Sequence, residues 1–495
     1  MADPAKTPAK TLAELVCEML ELPPEGEAIE YQNRSYNWGD VQRVAAEVRG
    51  ALAASGIGGG AVSFVPRNRP SAMAAIVGML ADGRTVRMIY AFQSPAAIAA
   101  AIAKLDSPVA VLAEEDFTPE VRAVLAQKRM AAVVLIEMQA RLHPDFTLGD
   151  PRPVPAHPSV DILTSGTTGP PKQFPISHEV FARYVLNQGM TLLTDPNEPP
   201  FLFSFPIGNI SGMYSICGAF LRGKRVLLVD RFSIPVYVDY LRRFRPETGG
   251  APPAAVSMIL DAKVPKEDLA SLKYFSTGAA PLDPTVQQRF EETYGIPIIL
   301  SYGATEFGGP VVAMTPALHA EWGTQKFGSV GRPMPGVALR LRDAESDAVL
   351  PIGNEGVLEV VSPRMGPEWI RTSDIVYIDE DGFVFCRGRN DGAIMRGGFK
   401  VLPETIERAL LLHPAISTAG VVGVADARLH EVPGAVIQLK PGAENPGIDA
   451  FKDHLRELVM STHLPVHWKF VDLLPKNASF KIDRPALKQL FVEGV

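Results

Sequence analysis

One run of residues has both the composition and the order to hold phosphate: Leu163-Thr164-Ser165-Gly166-Thr167-Thr168-Gly169-Pro170-Pro171-Lys172. Glycines let a backbone come close to an anion, while Thr164, Ser165, Thr167 and Thr168 offer hydroxyl donors and Lys172 a positive charge. That combination predicts a nucleoside triphosphate as ligand. The spacing is not that of a Walker loop, because Gly166 and Gly169 are separated by two residues and Gln173 follows the lysine where a magnesium-binding hydroxyl is required. Taken alone, Gly, Ser, Thr and Pro also make ordinary surface turns.

Four further stretches supply groups that ATP-dependent activation of a carboxylate requires. Ser276-Thr277-Gly278-Ala279-Ala280-Pro281-Leu282 is a strip of small residues able to lie against a flat base. In Ser301-Tyr302-Gly303-Ala304-Thr305-Glu306 an aromatic ring can stack on adenine, a hydroxyl can reach the α-phosphate and a carboxylate can help hold magnesium. Arg371-Thr372-Ser373-Asp374, followed by Gly388-Arg389, provides an acceptor for two ribose hydroxyls. Near the C-terminus, Leu474 to Arg484 contains Lys481, a candidate for the carboxylate and α-phosphate oxygens in the transition state. Each stretch has a plainer reading by itself: a turn, a solvated acid, a cap or a solvent-facing lysine.

The elements that must position these groups follow from periodicity. Helices are expected at Val41 to Ala54, Ser71 to Ala81 and Val121 to Gln127, alternating with strands at Ala61 to Val65, Val109 to Leu112 and Ala132 to Ile136. Strands are also expected at Arg225 to Val229 and Ile296 to Leu300. This is an α/β rhythm of layered sheets with amphipathic, alanine-rich helices outside. Beyond about residue 325 short alternating segments, such as Gly336 to Arg342 and Gly356 to Val361, imply a small β-rich subdomain. The cluster Gly388-Arg389-Asn390-Asp391-Gly392 interrupts the pattern. A new α+β sequence then carries a helix at Pro403 to Leu412, a strand at Ser417 to Val424 and a helix at Ile448 to Met460. The expected division is therefore 1–388 and 389–495. Glu198 to Pro200 and Pro246 to Pro253 read as proline-rich loops.

Bulk properties narrow the function. A chain of 495 residues, 46% hydrophobic and 21% charged, can bury a large core. No run reaches the roughly 18 apolar residues of a membrane span, and no apolar run follows Lys6 and Lys10 as a secretory signal would. A net charge of −7 without a basic block argues against a nucleic-acid surface. Cys17, Cys217 and Cys386 have neither metal-site nor disulfide spacing, which fits a reducing cytoplasm.

In order and spacing these stretches resemble the adenylate-forming superfamily of acyl-CoA synthetases, adenylation domains and luciferases, and the likeness covers nearly the whole chain. The resemblance implies a two-step reaction. A carboxylic acid and ATP give an acyl-adenylate and pyrophosphate, and a thiol then forms a thioester with release of AMP. It further implies that Thr164 to Lys172 grip phosphate, Thr305 binds phosphate, Glu306 helps bind Mg2+, and Gly278, Ala279, Ala280, Tyr302 and Gly303 form the adenine site. Asp374 and Arg389 would hold ribose. A mobile C-terminal domain would turn about Asp391, presenting Lys481 for adenylation and the face of Arg396, Gly397, Gly398 and Lys400 for the thiol step.

The stretch Ile394 to Glu404 is most similar to acyl- and aryl-CoA ligases, so coenzyme A is the favoured acceptor. A stand-alone enzyme loading a separate carrier protein is the close rival, and a silent nucleotide- or acyl-binding homologue is the third reading. Four positions depart from the family pattern. Asn209 stands where many relatives carry a histidine, Gly392 and Met395 replace an acid and a lysine, and Phe480 replaces a glycine. The acid site is expected to involve Asn209, Ile210, Met213, Tyr214, Gly250 and Ala304. Glycines 249, 250, 308 and 309 suggest a roomy site for a bulky aromatic or a medium to long acyl acid.

Overall fold

The computed structural model describes residues 10–149, 152–164, 172–186, 192, 195, 197–278, 282–390, 392–396, 399–426, 429–477 and 481–492. They form a mixed α/β structure in two compact units. The first takes in the chain up to residue 279 together with Glu291–Ile298 and Gly303–Pro310; the second holds Ala280–Phe290, Ile299–Tyr302 and the chain from Val311 onward.

In the first unit a seven-stranded sheet runs in the order Gln139–Leu142, Ala131–Ile136, Val109–Ala113, Val62–Phe64, Val86–Met88, Ser159–Thr164 and Lys172–Ser177. Its central strands are parallel and its two edge strands antiparallel. Parallel strands joined by helices are buried on both faces, which is why Val109–Ala113 is buried at every position. A four-stranded sheet follows the order Phe201–Phe203, Val226–Leu228, Glu27–Tyr31 and Arg34–Asn37.

The helix Trp38–Ala54 begins where Asn37 accepts from the Asp40 amide and Asp40 reciprocates, a complete capping box. The helix Pro70–Ala81, with proline at its first position, corrects one expectation. It is not amphipathic, for all 12 of its residues are buried. Gly78 explains how it packs, because a Cβ there would lie 2.6 Å from the Ala45 carbonyl oxygen of Trp38–Ala54. The glycine costs about 1 kcal/mol of helix propensity, which the close approach of two helix backbones offsets.

Within the second unit, Val349–Leu350, Ala338–Arg342, Glu355–Val361, Ile370–Ile378 and Val384–Arg389 form an antiparallel sheet in that order, the β-rich region expected from alternation. The last sheet orders Phe399–Val401, Ile394–Arg396, His430–Leu439 and Ile416–Asp426, with His467–Phe470 parallel to His430–Leu439. The helix Pro403–Leu411 buries Ile406, Ala409 and Leu410 among Val421, Ile437 and Phe451.

Several boundaries differ from expectation. Pro246 to Pro253 is not all loop: Thr248–Gly250 is a strand parallel to Tyr274–Gly278, and the helix Pro253–Asp261 starts at the second proline of the Pro252-Pro253 pair. Buried small residues at a sheet position carry no alternation signal, so the prolines dominated the reading. The strand Val384–Arg389 continues through the glycine cluster as far as Arg389 because Gly388 pairs with Ile375. The helix at Ile448 ends at Arg456 and the strand near Ile296 begins at Ile298.

Candidate functional site

Tyr302 and the pair Asp374 and Arg389, read apart from sequence, converge on the Asp374 carboxylate. Asp374 and Arg389 are cross-strand partners on Ile370–Ile378 and Val384–Arg389. Arg389 Nη1 donates to Asp374 Oδ1 at 3.2 Å, and the Tyr302 hydroxyl donates to Oδ2 at 2.5 Å. Thr372 sets the backbone, its Oγ1 accepting from the Asp374 amide at 3.0 Å and donating to the Leu358 carbonyl at 2.8 Å. Ser373 joins through a hydrogen bond from Arg389 Nη2 to its Oγ. Sequence reasoning had not assigned Ser373 a role; its signal was its place between Thr372 and Asp374, inside the strand Ile370–Ile378.

Burial, reinforced by the Asp374 carboxylate, holds the Tyr302 phenol well above its ordinary value, so it remains a neutral donor. The same two causes push the Cys386 thiol up to about 12. Burial raises Cys217 too, so neither cysteine is a thiolate nucleophile near neutral pH. On the adenine-site role that the family resemblance implies for Tyr302, Tyr302→Phe should raise the KM for ATP about 3- to 10-fold through loss of one charge-assisted hydrogen bond. Steady-state pyrophosphate release at varied ATP measures this, with the KM for the acid as internal control.

Ala304 ends the strand Ile298–Ala304, and Thr305 and Glu306 open a single 3-10 turn closed by Gly308 in the left-handed region. That turn leaves the Glu306 side chain exposed while Phe307 is buried as its anchor. Gly303 is required by space, since a Cβ there would meet the Gly309 oxygen and the Pro310 Cα at 2.5 Å. Gly278 ends the strand Tyr274–Gly278, with Thr277 Oγ1 donating to the Ala251 carbonyl at 2.7 Å. Ala279 and Ala280 lie outside the described residues, as do Ser165, Gly166, Thr167, Thr168 and Gly169. The two ends of that loop are fixed: Thr164 and Lys172 are register partners on antiparallel strands, and Lys172 is exposed.

Lys481 is exposed on a loop pinned at its neck. The Lys481 amide donates to Asn477 Oδ1 at 3.1 Å and the Asn477 amide donates to the Lys481 carbonyl at 2.7 Å. Asp391, Gly397 and Gly398 lie outside the described residues, as does the Lys400 side chain. Arg396 Nη1 donates to the carbonyls of Thr462 at 2.6 Å and Leu464 at 3.2 Å.

The residues expected around the acid have distinct surroundings. Asn209 is the N-cap of the helix Ile210–Gly218, its Oδ1 accepting from the Gly212 amide at 2.7 Å. Its Nδ2 donors and the second lone pair of Oδ1 are not used by this cap. Met213 is fully buried in the core, and Ile210 packs against that core part-exposed. The glycine argument for a roomy site is corrected. A Cβ on Gly309 would fall 2.4 Å from the Tyr214 ring, whose hydroxyl donates to the Gly308 carbonyl. A Cβ on Gly249 would fall 2.5 Å from the Tyr237 hydroxyl. Both glycines make room for tyrosines of this chain. Gly250 has a little more space, with Ser276 oxygen at 3.1 Å and the Phe205 ring at 3.7 Å from such a Cβ.

Tyr302, Asp374 and Arg389 thus form one hydrogen-bonded group, and Glu306 and Lys481 are each exposed. The chain belongs to the AMP-binding enzyme family, whose model matches residues 19–368, and the model of the AMP-binding enzyme C-terminal domain matches residues 405–481. It is 29% identical over 400 residues to the fatty acid–[acyl-carrier-protein] ligase ScoC of Streptomyces coeruleorubidus, covering 76% of each chain. It is 28% identical over 348 residues to the 2-succinylbenzoate–CoA ligase of Bacillus subtilis (strain 168), covering 66% of this chain and 68% of the other. Its fold matches that of the anthranilate CoA ligase AuaEII in complex with anthranoyl-AMP, with a TM-score of 0.83, 21% identity and full coverage of both chains. The ATP-bound MatB of Rhodopseudomonas palustris gives a TM-score of 0.82 at 20% identity, over 97% of this chain and 99% of that one.

Proposed function

We propose that this enzyme activates a carboxylic acid with ATP and passes the acyl group to coenzyme A. In the first step a carboxylate oxygen bonds to the α-phosphorus of ATP and pyrophosphate leaves. In the second the CoA thiol gives up its proton, its sulfur bonds to the acyl carbon, and AMP leaves. The observation that carries this reading is the Tyr302–Asp374–Arg389 constellation in a chain matched by both AMP-binding family models. Asp374 already accepts from two directions, so a ribose hydroxyl would compete with or extend an existing network held in register by the sheet.

A carboxylate is a poor electrophile, and two anions repel. The loop from Thr164 to Lys172 grips the β- and γ-phosphates, Thr305 donates to phosphate, and Lys481 attends the α-phosphate. Adenine is assigned to Tyr302, Gly278, Ala279, Ala280 and Gly303. Glu306 fits a magnesium ion, which binds through one or two carboxylates plus substrate phosphates and keeps its waters. No three-residue His/Cys/Asp/Glu cluster exists among the described residues, so an all-protein metal cage is not the design there. The bound ion would supply charge neutralisation. The reading assigns residues 1–388 to acid and ATP, and 389–495 to a lid turning about Asp391.

The acid is an aryl or a medium to long acyl acid, a reading supported by the curated relatives and no longer by the glycines. Asn209, Ile210, Tyr214, Gly250 and Ala304 are its proposed surroundings. Transfer to a carrier-protein thiol is the second reading, favoured by the ScoC likeness. A reducing cytoplasm suits three free cysteines; no helix among the described residues is long and apolar enough to cross a membrane.

The test is pyrophosphate release across a panel of aryl, short and long carboxylic acids, then mass spectrometry of products with CoA and, separately, with a phosphopantetheinyl carrier protein. Acid-dependent release and an acyl-CoA mass are expected. Acyl transfer to the carrier alone would replace the acceptor, and a best kcat/KM for acetate would overturn the acid class. Nucleotide binding without turnover of any acid would leave a silent homologue.

A further inference from the structure

Resting on the acid-site reading above, we propose that Asn68 is a positioning residue for the carboxylic acid: it fixes the turn Phe205 to Asn209 that starts the acid-site wall. Asn68 lies between the strand Val62–Phe64 and the helix Pro70–Ala81 and is only 1% exposed. Its Nδ2 donates to the Phe205 carbonyl at 2.9 Å and to the Val229 carbonyl at 3.1 Å, while its Oδ1 accepts from the Ile207 amide at 3.0 Å. One buried amide thus satisfies three backbone groups just past the ends of two neighbouring parallel strands, Phe201–Phe203 and Val226–Leu228.

Those groups have no ladder partner beyond the strand ends, and burying them unpaired is costly. The turn they define is held on its other sides by space. A Cβ on Gly208 would touch Pro66 at 3.1 Å, and one on Gly212 would fall 2.0 Å from the Pro206 oxygen. Ser204 adds a bond to the Gly250 carbonyl. The result is a single conformation from which Asn209 caps the helix that carries Tyr214. Asn68 is remote in sequence from every residue expected at the acid, yet it is the side chain through which the first parallel sheet region grips their turn.

The experiment compares wild type, Asn68→Ala and the milder Asn68→Ser, using the acid that the panel identifies. The KM for the acid should rise about tenfold in Asn68→Ala and less in Asn68→Ser, with the KM for ATP within about twofold of wild type. Amide hydrogen exchange in peptides spanning residues 204–213 should accelerate at least tenfold, while the sheet of residues 338–389 is unchanged. An unchanged acid KM in an active Asn68→Ala enzyme, or an equal rise in both KM values, overturns the inference and leaves the activity standing. Wild-type protein inactive with every acid overturns both, and loss of exchange protection throughout both variants would make Asn68 a stability residue only.

Discussion

Replacing Lys481 by alanine is expected to lower acid-dependent pyrophosphate release by about 100- to 1,000-fold while leaving thioester formation from a supplied acyl-adenylate within a few-fold of wild type. The magnitude is that of removing one preorganised donor from a developing oxyanion, here the pentavalent α-phosphate. The asymmetry arises because only the first half-reaction builds that charge. Lys481 is suited to the task because it is exposed yet not loose: Asn477 closes the neck of its loop from both sides and Lys476 bridges to Ile482. Asn477→Ala should reproduce a fraction of the loss without removing the cation. Single-turnover measurement of each half-reaction checks the prediction. Equal loss in both halves would show that Lys481 serves one conformation common to the two steps, and would defeat the lid assignment.

The residues proposed for phosphate, ribose and magnesium could be picked out before any coordinate, because such ligands call for short, unusual combinations of residue types. Asp374 and Arg389 were read together as a ribose pair and Tyr302 apart from them; that Tyr302 meets the same carboxylate was not legible, since pairing between segments distant in sequence brings them together. The glycines were misread for a related reason. Gly249 and Gly309 look alike in sequence to glycines that open a cavity, and only packing shows that Tyr237 and Tyr214 fill the space. That Asn209 also caps a helix was not read from the sequence. Helices and strands with strong periodicity were found to within a few residues, whereas the short strand Thr248–Gly250 was hidden between prolines. Asn68 gave no signal of its own, because a buried amide that satisfies three backbone groups has no sequence pattern.

The second large effect concerns what holds the lysine loop to its lobe. Arg484 starts the helix Arg484–Val492 three residues after Lys481, and its guanidinium bridges two acids of the helix Pro403–Leu411. Nη1 lies 3.0 Å from Glu407 Oε1, and Nη2 lies 2.9 Å from Glu404 Oε1 and 3.2 Å from Glu407 Oε2. Burial pushes the Glu407 carboxyl upward and Arg484 opposes that push. Arg484→Met should cost about 3 kcal/mol, the lower end for breaking a buried pair, since the arginine side chain keeps 28% exposure. The pH dependence has a definite sign. With the arginine gone, the folded-state value of Glu407 moves further above the ordinary value near 4.5. Between those two values the native state holds more protons than the unfolded state, so the variant's stability falls as pH rises through that window. Urea unfolding at several pH values, read by exchange protection of residues 403–490, measures both effects. Adding Glu407→Leu to Arg484→Met should recover much of the loss, because two apolar groups replace a pair without stranding a charge. Adenylation should fall with Arg484→Met and return only in part in the double variant, since Glu404 still loses its partner there and the base of the Lys481 loop stays less firmly held.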